Sequence, residues 1–194
     1  GLHTLYLRGL RSKFDLKIFI EPHEMVRFAW KYQRDVKERG HSPEKVVESF
    51  VNRESDSLKH ISPQKEFADW VIQYLPDREV SRHGIMSGET FNYLVRYTFW
   101  NDAPIGNLLK ALQEKARCKI TFEVSPNDIN RTLVEIQGCP TEDEINDVAK
   151  MVFPNLRAIT RAWIPPRWRS GWDGLHQLTA LTLLSALGTE EFST

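Results

Sequence analysis

Two short apolar runs, DLKIFIEP (residues 15–22) and WVIQYLP (residues 70–76), each end in a proline, with helix-forming sequence between them. That order commits the first part of the chain to a mixed α/β fold. In the first run Leu16, Ile18 and Ile20 share one face and Phe19 the other, so the segment reads as a strand buried on both sides. Glu21-Pro22 is expected to open a helix, because a proline's missing N–H is no loss in a first helical turn. The helix is expected to run to Glu38, with Met25, Phe28, Ala29, Tyr32 and Val36 as its apolar stripe and Lys31, Arg34, Asp35 and Glu38 off that stripe. Gly40 is a suitable stop. Ser42 as N-cap and Pro43 at the first position start a second helix. A turn-rich piece, residues 55–69, leads into the second strand, and a domain boundary is placed at residues 76–78.

The second half has a different texture. REVSRHGIM (78–86) and FNYLVRYTFW (91–100) read as strands around a Ser87-Gly88 turn. Residues 103–117 are helical. CKITFEVS (118–125) and RTLVEIQG (131–138) form an antiparallel pair around Pro126-Asn127-Asp128. Thr141, with Glu144 three residues on, is a capping box that starts a helix ending near Phe153. Residues 156–163 read as a strand, and 174–187 as a last helix. The expected organisation is residues 1–77, followed by a small α+β lobe with antiparallel strands over residues 78–194.

Charge and composition remove several classes of function. Lys+Arg and Asp+Glu number 26 each, so no overall field attracts nucleic acid or an anionic membrane, and any anion site must be local. Cys118 and Cys139 are the only cysteines, without the spacing of a zinc site or the density of a disulfide scaffold. No apolar run reaches the ~20 residues of a membrane helix, and no signal peptide is visible, so a cytoplasmic protein is expected. No Gly-x-x-x-x-Gly-Lys-Ser/Thr stretch occurs, and no Gly-Lys pair at all. No Ser/His/Asp arrangement and no metal-ligand pattern follows from spacing.

The stretch KYQRDVKERGHS (31–42) admits two readings. On a solvated helix face, Lys31 would pair with Asp35 and Arg34 with Glu38, contributing tenths of a kcal/mol. As an anion site, the arginine forks suit phosphate oxygens, Lys31 adds a point charge, and Asp35 orients the cations or holds a sugar hydroxyl.

The sequence DLKIFIEPHEMVRFAWKYQRDVKERGHSPEKVVESFVNRE, then ISPQKEFADWVIQYLP, with the opening Gly1-Leu2-His3, resembles the phosphoribulokinase/uridine kinase family over about residues 1–76. The resemblance rests on the lid pattern Arg-Asp-x-x-x-Arg-Gly-His and the Pro-Gln…Ala-Asp pattern, in the right order. It implies the tail of a P-loop kinase core carrying a lid helix, and an ATP- and Mg²⁺-dependent phosphoryl transfer to a hydroxyl of a sugar phosphate or nucleoside. It implies catalytic roles for Arg34 and Asp35, and substrate-binding roles for His3, Lys31 and Arg39. The family's P-loop, metal-holding hydroxyl and catalytic aspartate would lie upstream of Gly1. The expectation is therefore a fragment, or a chain completed by a partner that supplies the missing N-terminal kinase segment, and neither turnover nor ATP·Mg²⁺ binding by this chain alone.

Two rival readings stay open. One is a non-catalytic regulatory or oligomerising module that binds a phosphorylated effector and pairs its second-lobe strands as a homo-oligomer. The other rests on residues 157–172, where Arg157, Arg161, Arg167 and Arg169 interleave with Trp163, Trp168 and Trp172; such a segment can stack on the bases of a single strand or bind a phosphorylated effector, the effector being the better fit, but with four cations and zero net charge a strand and loop whose tryptophans pack into the core while the arginines stay wet is the preferred account. His60 and His83 have no spaced partners and read as surface or satisfied core positions.

Overall fold

The computed structural model describes residues 2–101, 103, 105–153 and 172–186. The chain is mixed α/β. By backbone contacts it divides into two compact units, residues 1–100 with 124–133, and residues 101–123 with 134–194.

The first unit begins with a short helix, α1 (Arg8–Arg11), and a strand, β1 (Ile18–Pro22). Helices α2 (Glu24–Tyr32) and α3 (Pro43–Asn52) follow, and then β2 (Trp70–Pro76), which pairs with β1 in parallel from Ile18–Trp70 to Pro22–Tyr74. Parallel neighbours need a crossover of this kind between them. Strand β3 (Tyr93–Trp100) adds antiparallel to β2, and residues 124–133 put the next strand beside β3. Val26, Phe28 and Tyr32 of α2 and Val46 and Phe50 of α3 are buried, with the Phe28 ring set edge-on to Phe50 at 5.3 Å. On the sheet, Ile72, Val95 and Tyr97 are sealed from solvent.

The structure changes several local expectations. Strand β1 is not buried on both sides: Ile20 is exposed and the other four residues are half-buried. Pro22 closes β1 instead of opening α2, and His23 is the N-cap, its Nδ1 accepting from the Met25 N–H at 3.2 Å. Residues 82–86 form a helical turn, α5 (Arg82–Met86), rather than a strand, because the Ser81 hydroxyl caps the Gly84 N–H. The turn-rich piece is helical at three successive pitches: α4 (Glu54–Asp56), a wide turn over Ser57–Ile61 and a tight one over Ser62–Phe67.

In the second unit, α6 (Gly106–Lys115), α7 (Glu142–Val152) and α8 (Trp172–Ala186) bury Leu108, Leu112, Ile145, Val148, Leu178 and Leu181. The capping box at Thr141 and Glu144 is present in full. Strands β4 (Lys119–Ser125) and β5 (Asp128–Gln137) are joined by Pro126-Asn127, and β5 is longer than the sequence pattern suggested. The strand order is β1-β2-β3-β5-β4. The proposed strand at 156–163 and the Arg/Trp segment at 157–172 lie outside the described residues, apart from the backbone of Trp172. Among the described residues, no helix is long and apolar enough to cross a membrane.

Candidate functional site

The cations of the lid pattern all converge on one carboxylate. Asp35 accepts from Arg34 Nε at 2.8 Å and Nη2 at 3.2 Å, from Lys31 Nζ at 2.9 Å and from Arg39 Nη1 at 3.2 Å. Arg34 therefore pairs with Asp35 and not with Glu38. Asp35 is only 4% exposed, although the apolar periodicity put it on the wet side of the helix. The buried positions Phe28, Tyr32 and Asp35 follow each other at four- and three-residue steps, so the carboxylate occupies the end of the stripe assigned to Val36.

Local geometry explains how one carboxylate can gather three cations. After Tyr32 the helix widens into a π turn over Gln33–Glu38, seen in the Arg39 N–H donating to the Arg34 carbonyl at 3.2 Å. Such turns carry an extra residue and are frequent at functional sites. The turn ends at Gly40, whose φ of +71° is costly for any residue with a Cβ and lets the His41 N–H reach back to the Asp35 carbonyl at 2.9 Å. Hydrogen bonds from Arg34, then from Lys31, hold the Asp35 carboxyl far below the usual carboxylate range, and the same contact raises Arg34. Three cations around one anion leave two positive charges. The side chains of Arg34 and Arg39 are more than half exposed, so they present N–H groups outward from a fixed base.

A cavity of about 1000 Å³ opens beside α2 within the first unit. Lys31, Arg34 and His3 line it; Asp35 and Arg39 do not. His3 is brought there by the segment before α1, which is tied down by a glutamine from the Pro-Gln pattern. Gln64 Oε1 accepts from the Leu5 N–H at 3.1 Å, and its Nε2 donates to the Leu2 and His60 carbonyls, both at 2.8 Å. The aspartate of the Ala-Asp pattern is structural in the same way: Asp69 Oδ2 accepts from the Lys17 backbone N–H at 2.8 Å and from its Nζ at 2.9 Å. Trp30 forms another part of the wall, its indole N–H donating to the Tyr93 hydroxyl at 2.9 Å.

This donor set suits oxyanions. Among the described residues no group of three or more His, Cys, Asp or Glu side chains gathers as a metal site. Sequence reasoning missed four other lining residues, Arg27, Arg53, Ser57 and His60. A signal for them existed: 27, 31 and 34 follow helical spacing, and 53, 57 and 60 repeat it.

Residues 1–81 match the Phosphoribulokinase / Uridine kinase family. The chloroplastic phosphoribulokinase of Spinacia oleracea is 46% identical over 76 residues, which make up 39% of this chain and 19% of that protein. A uridine kinase of Deinococcus deserti is 33% identical over 75 residues, 38% of this chain and 36% of that protein. A solved structure of phosphoribulokinase from Rhodobacter spheroides aligns with a TM-score of 0.45 at 19% identity, covering 78% of this chain and 51% of that one. The chain thus spans well under two thirds of the length of each of these proteins.

Proposed function

We propose that this chain, whose residues 1–81 match the phosphoribulokinase/uridine kinase family, supplies the lid and acceptor side of a kinase that moves a phosphoryl group from ATP to a hydroxyl of a sugar phosphate or nucleoside. The observation that carries the reading is the Lys31–Arg34–Arg39 cluster fixed on Asp35 at the edge of a cavity. The transition state of phosphoryl transfer spreads negative charge over the equatorial oxygens, so cations held in place before the reaction supply much of the stabilisation. Arg34 and Lys31 are the groups for those oxygens, Asp35 sets their orientation, and Arg39 and His3 contact the acceptor. On this reading residues 1–77 are the kinase-core part and 78–194 an accessory lobe whose first strand, β3, joins the core sheet beside β2.

The nucleotide's phosphates and Mg²⁺ would be held by a P-loop segment outside these residues, on the same polypeptide or a partner. When bound, ATP·Mg²⁺ supplies the transferable phosphoryl group and neutralises its charge. The 194 residues alone are expected to bind an acceptor but not to turn over.

The test is a coupled assay of ADP formation in the complete protein, with ribulose 5-phosphate and with uridine. Arg34→Ala and Arg39→Ala are each expected to lower kcat/KM by about 10²-fold or more, the scale for removing a positioned charge from a transition state. Wild-type rates in both variants would reject the assignment. A second reading, a non-catalytic oligomerising module, draws support from Phe122, Val124 and Ile129, apolar and exposed on the β4–β5 hairpin, because bare apolar strands favour edge pairing. Absence of turnover with either acceptor, together with a concentration-dependent mass in sedimentation, would favour it.

A further inference from the structure

The cavity carries more positive charge than the lid cluster accounts for. Arg27 lies one turn before Lys31 on the same face of α2, and Arg53, Ser57 and His60 line the cavity from the segment that follows α3. Lys31 and Arg34 are paired with Asp35; among the described residues Arg27 has no carboxylate within ion-pair distance, although Asp56 lines the same cavity. Its Nη1 donates to Ser57 Oγ at 3.1 Å, and its guanidinium lies over the Phe50 ring, 4.9 Å from the centroid. The nearby carboxylates of Glu24 and Glu54 are taken up by Arg82. Arg27 Nε is a buried donor with no acceptor, the one such side-chain atom among the described residues.

A partly desolvated cation without a counter-charge is expensive, and an unmet buried N–H adds to the cost. Turning the Arg27 guanidinium toward the cavity gives up nothing at Nε, and an oxyanion there would satisfy both needs. Arginine's planar fork offers two parallel N–H groups to such an anion. Ser57 Oγ, already accepting from Arg27, keeps its own proton to donate. We propose that Arg27 and Ser57, with Arg53 and His60 beside them, form a second oxyanion subsite that takes the phosphate of a phosphate monoester. Seven residues of helix separate Arg27 from Arg34, about 10 Å along the axis. A ligand whose phosphate rests at Arg27 can therefore extend its other end to the lid cluster. The proposal rests on the kinase reading only for the class of ligand.

The experiment titrates the full 194-residue chain with inorganic phosphate, ribulose 5-phosphate and AMP, following arginine Nε–H signals by NMR and heat by calorimetry. The Arg27 Nε–H signal, assigned by its disappearance in Arg27→Lys, is expected to shift with phosphate. Arg27→Gln is expected to weaken phosphate binding at least about tenfold, the worth of one charge-assisted contact, whereas Lys31→Met leaves the Arg27 shift in place. Tighter binding of one monoester than the other identifies the source of the phosphate. An unmoved Arg27 signal at saturating phosphate, or unchanged binding in Arg27→Gln, overturns the subsite. If Arg27→Gln fails to fold, the wild-type Nε–H shift decides alone. Because the readout is binding, lack of turnover would count against the kinase reading and leave this one standing.

Discussion

Replacing Gln64 by leucine keeps the side chain's size and removes three hydrogen bonds at once. Gln64 is 3% exposed, and its amide joins Leu5, Leu2 and His60. The three losses are unequal. Leu5 is buried, so its N–H finds no water and costs about 1–3 kcal/mol when left unmet. Leu2 is exposed, and its carbonyl regains water at little cost. The His60 carbonyl, half-sheltered, adds about 0.5–1 kcal/mol. Leucine's better transfer into the core offsets roughly 1 kcal/mol of this, and the net is a local destabilisation of about 2 kcal/mol. Amide hydrogen exchange at Leu5 reads that quantity directly: 2 kcal/mol corresponds to about thirtyfold faster exchange. The segment carrying His3 should loosen together with Leu5, taking part of the cavity wall with it. Leu5 exchange within about threefold of wild type would show that Gln64 does not clasp this segment, since that is under 1 kcal/mol.

Asp35 has its carboxyl lowered in the folded state, so its contribution to stability is present above the ordinary aspartate range near 3.9 and is lost as pH falls toward the lower folded value. Asp35→Asn is therefore expected to flatten the acid limb of a stability-versus-pH curve followed by circular dichroism; an unchanged limb would contradict the hub role. At Gly138, φ is +149° and an added Cβ would lie 3.0 Å from the Arg117 carbonyl oxygen and 3.1 Å from Cys118 Cα. Gly138→Ala should cost about 1–3 kcal/mol in the second unit, read as a lower urea midpoint, and a neutral result would mean that the hairpin yields readily there.

Much of this was legible where local rules act alone. Ser42 caps α3, Thr141 and Glu144 form their box, and Gly40 stops the helix, because capping and left-handed backbone depend on neighbouring residues only. The strands ending at Pro22 and Pro76 were legible for the same reason. What the residue pattern hid depends on pitch and on distant partners. A uniform 3.6-residue helix puts Val36 inside and Asp35 outside; the π turn and three converging cations reverse this, and no periodicity count contains that turn. His60 read as isolated because the ring it meets, Tyr6 at 6.3 Å, lies far from it in sequence. The Pro-Gln and Ala-Asp patterns carried the resemblance, yet their side chains serve as clasps, a role visible only once Leu5 and Lys17 are beside them.

Trp30 deserves a last consequence. Its indole forms part of the cavity wall and is also tethered through its N–H to Tyr93 on β3. Occupancy and sheet order are thereby joined through one ring, and thermodynamic linkage runs in both directions. A molecule that seats against the indole in its tethered position firms up the strand behind it, and anything that stiffens that strand makes the wall a readier seat.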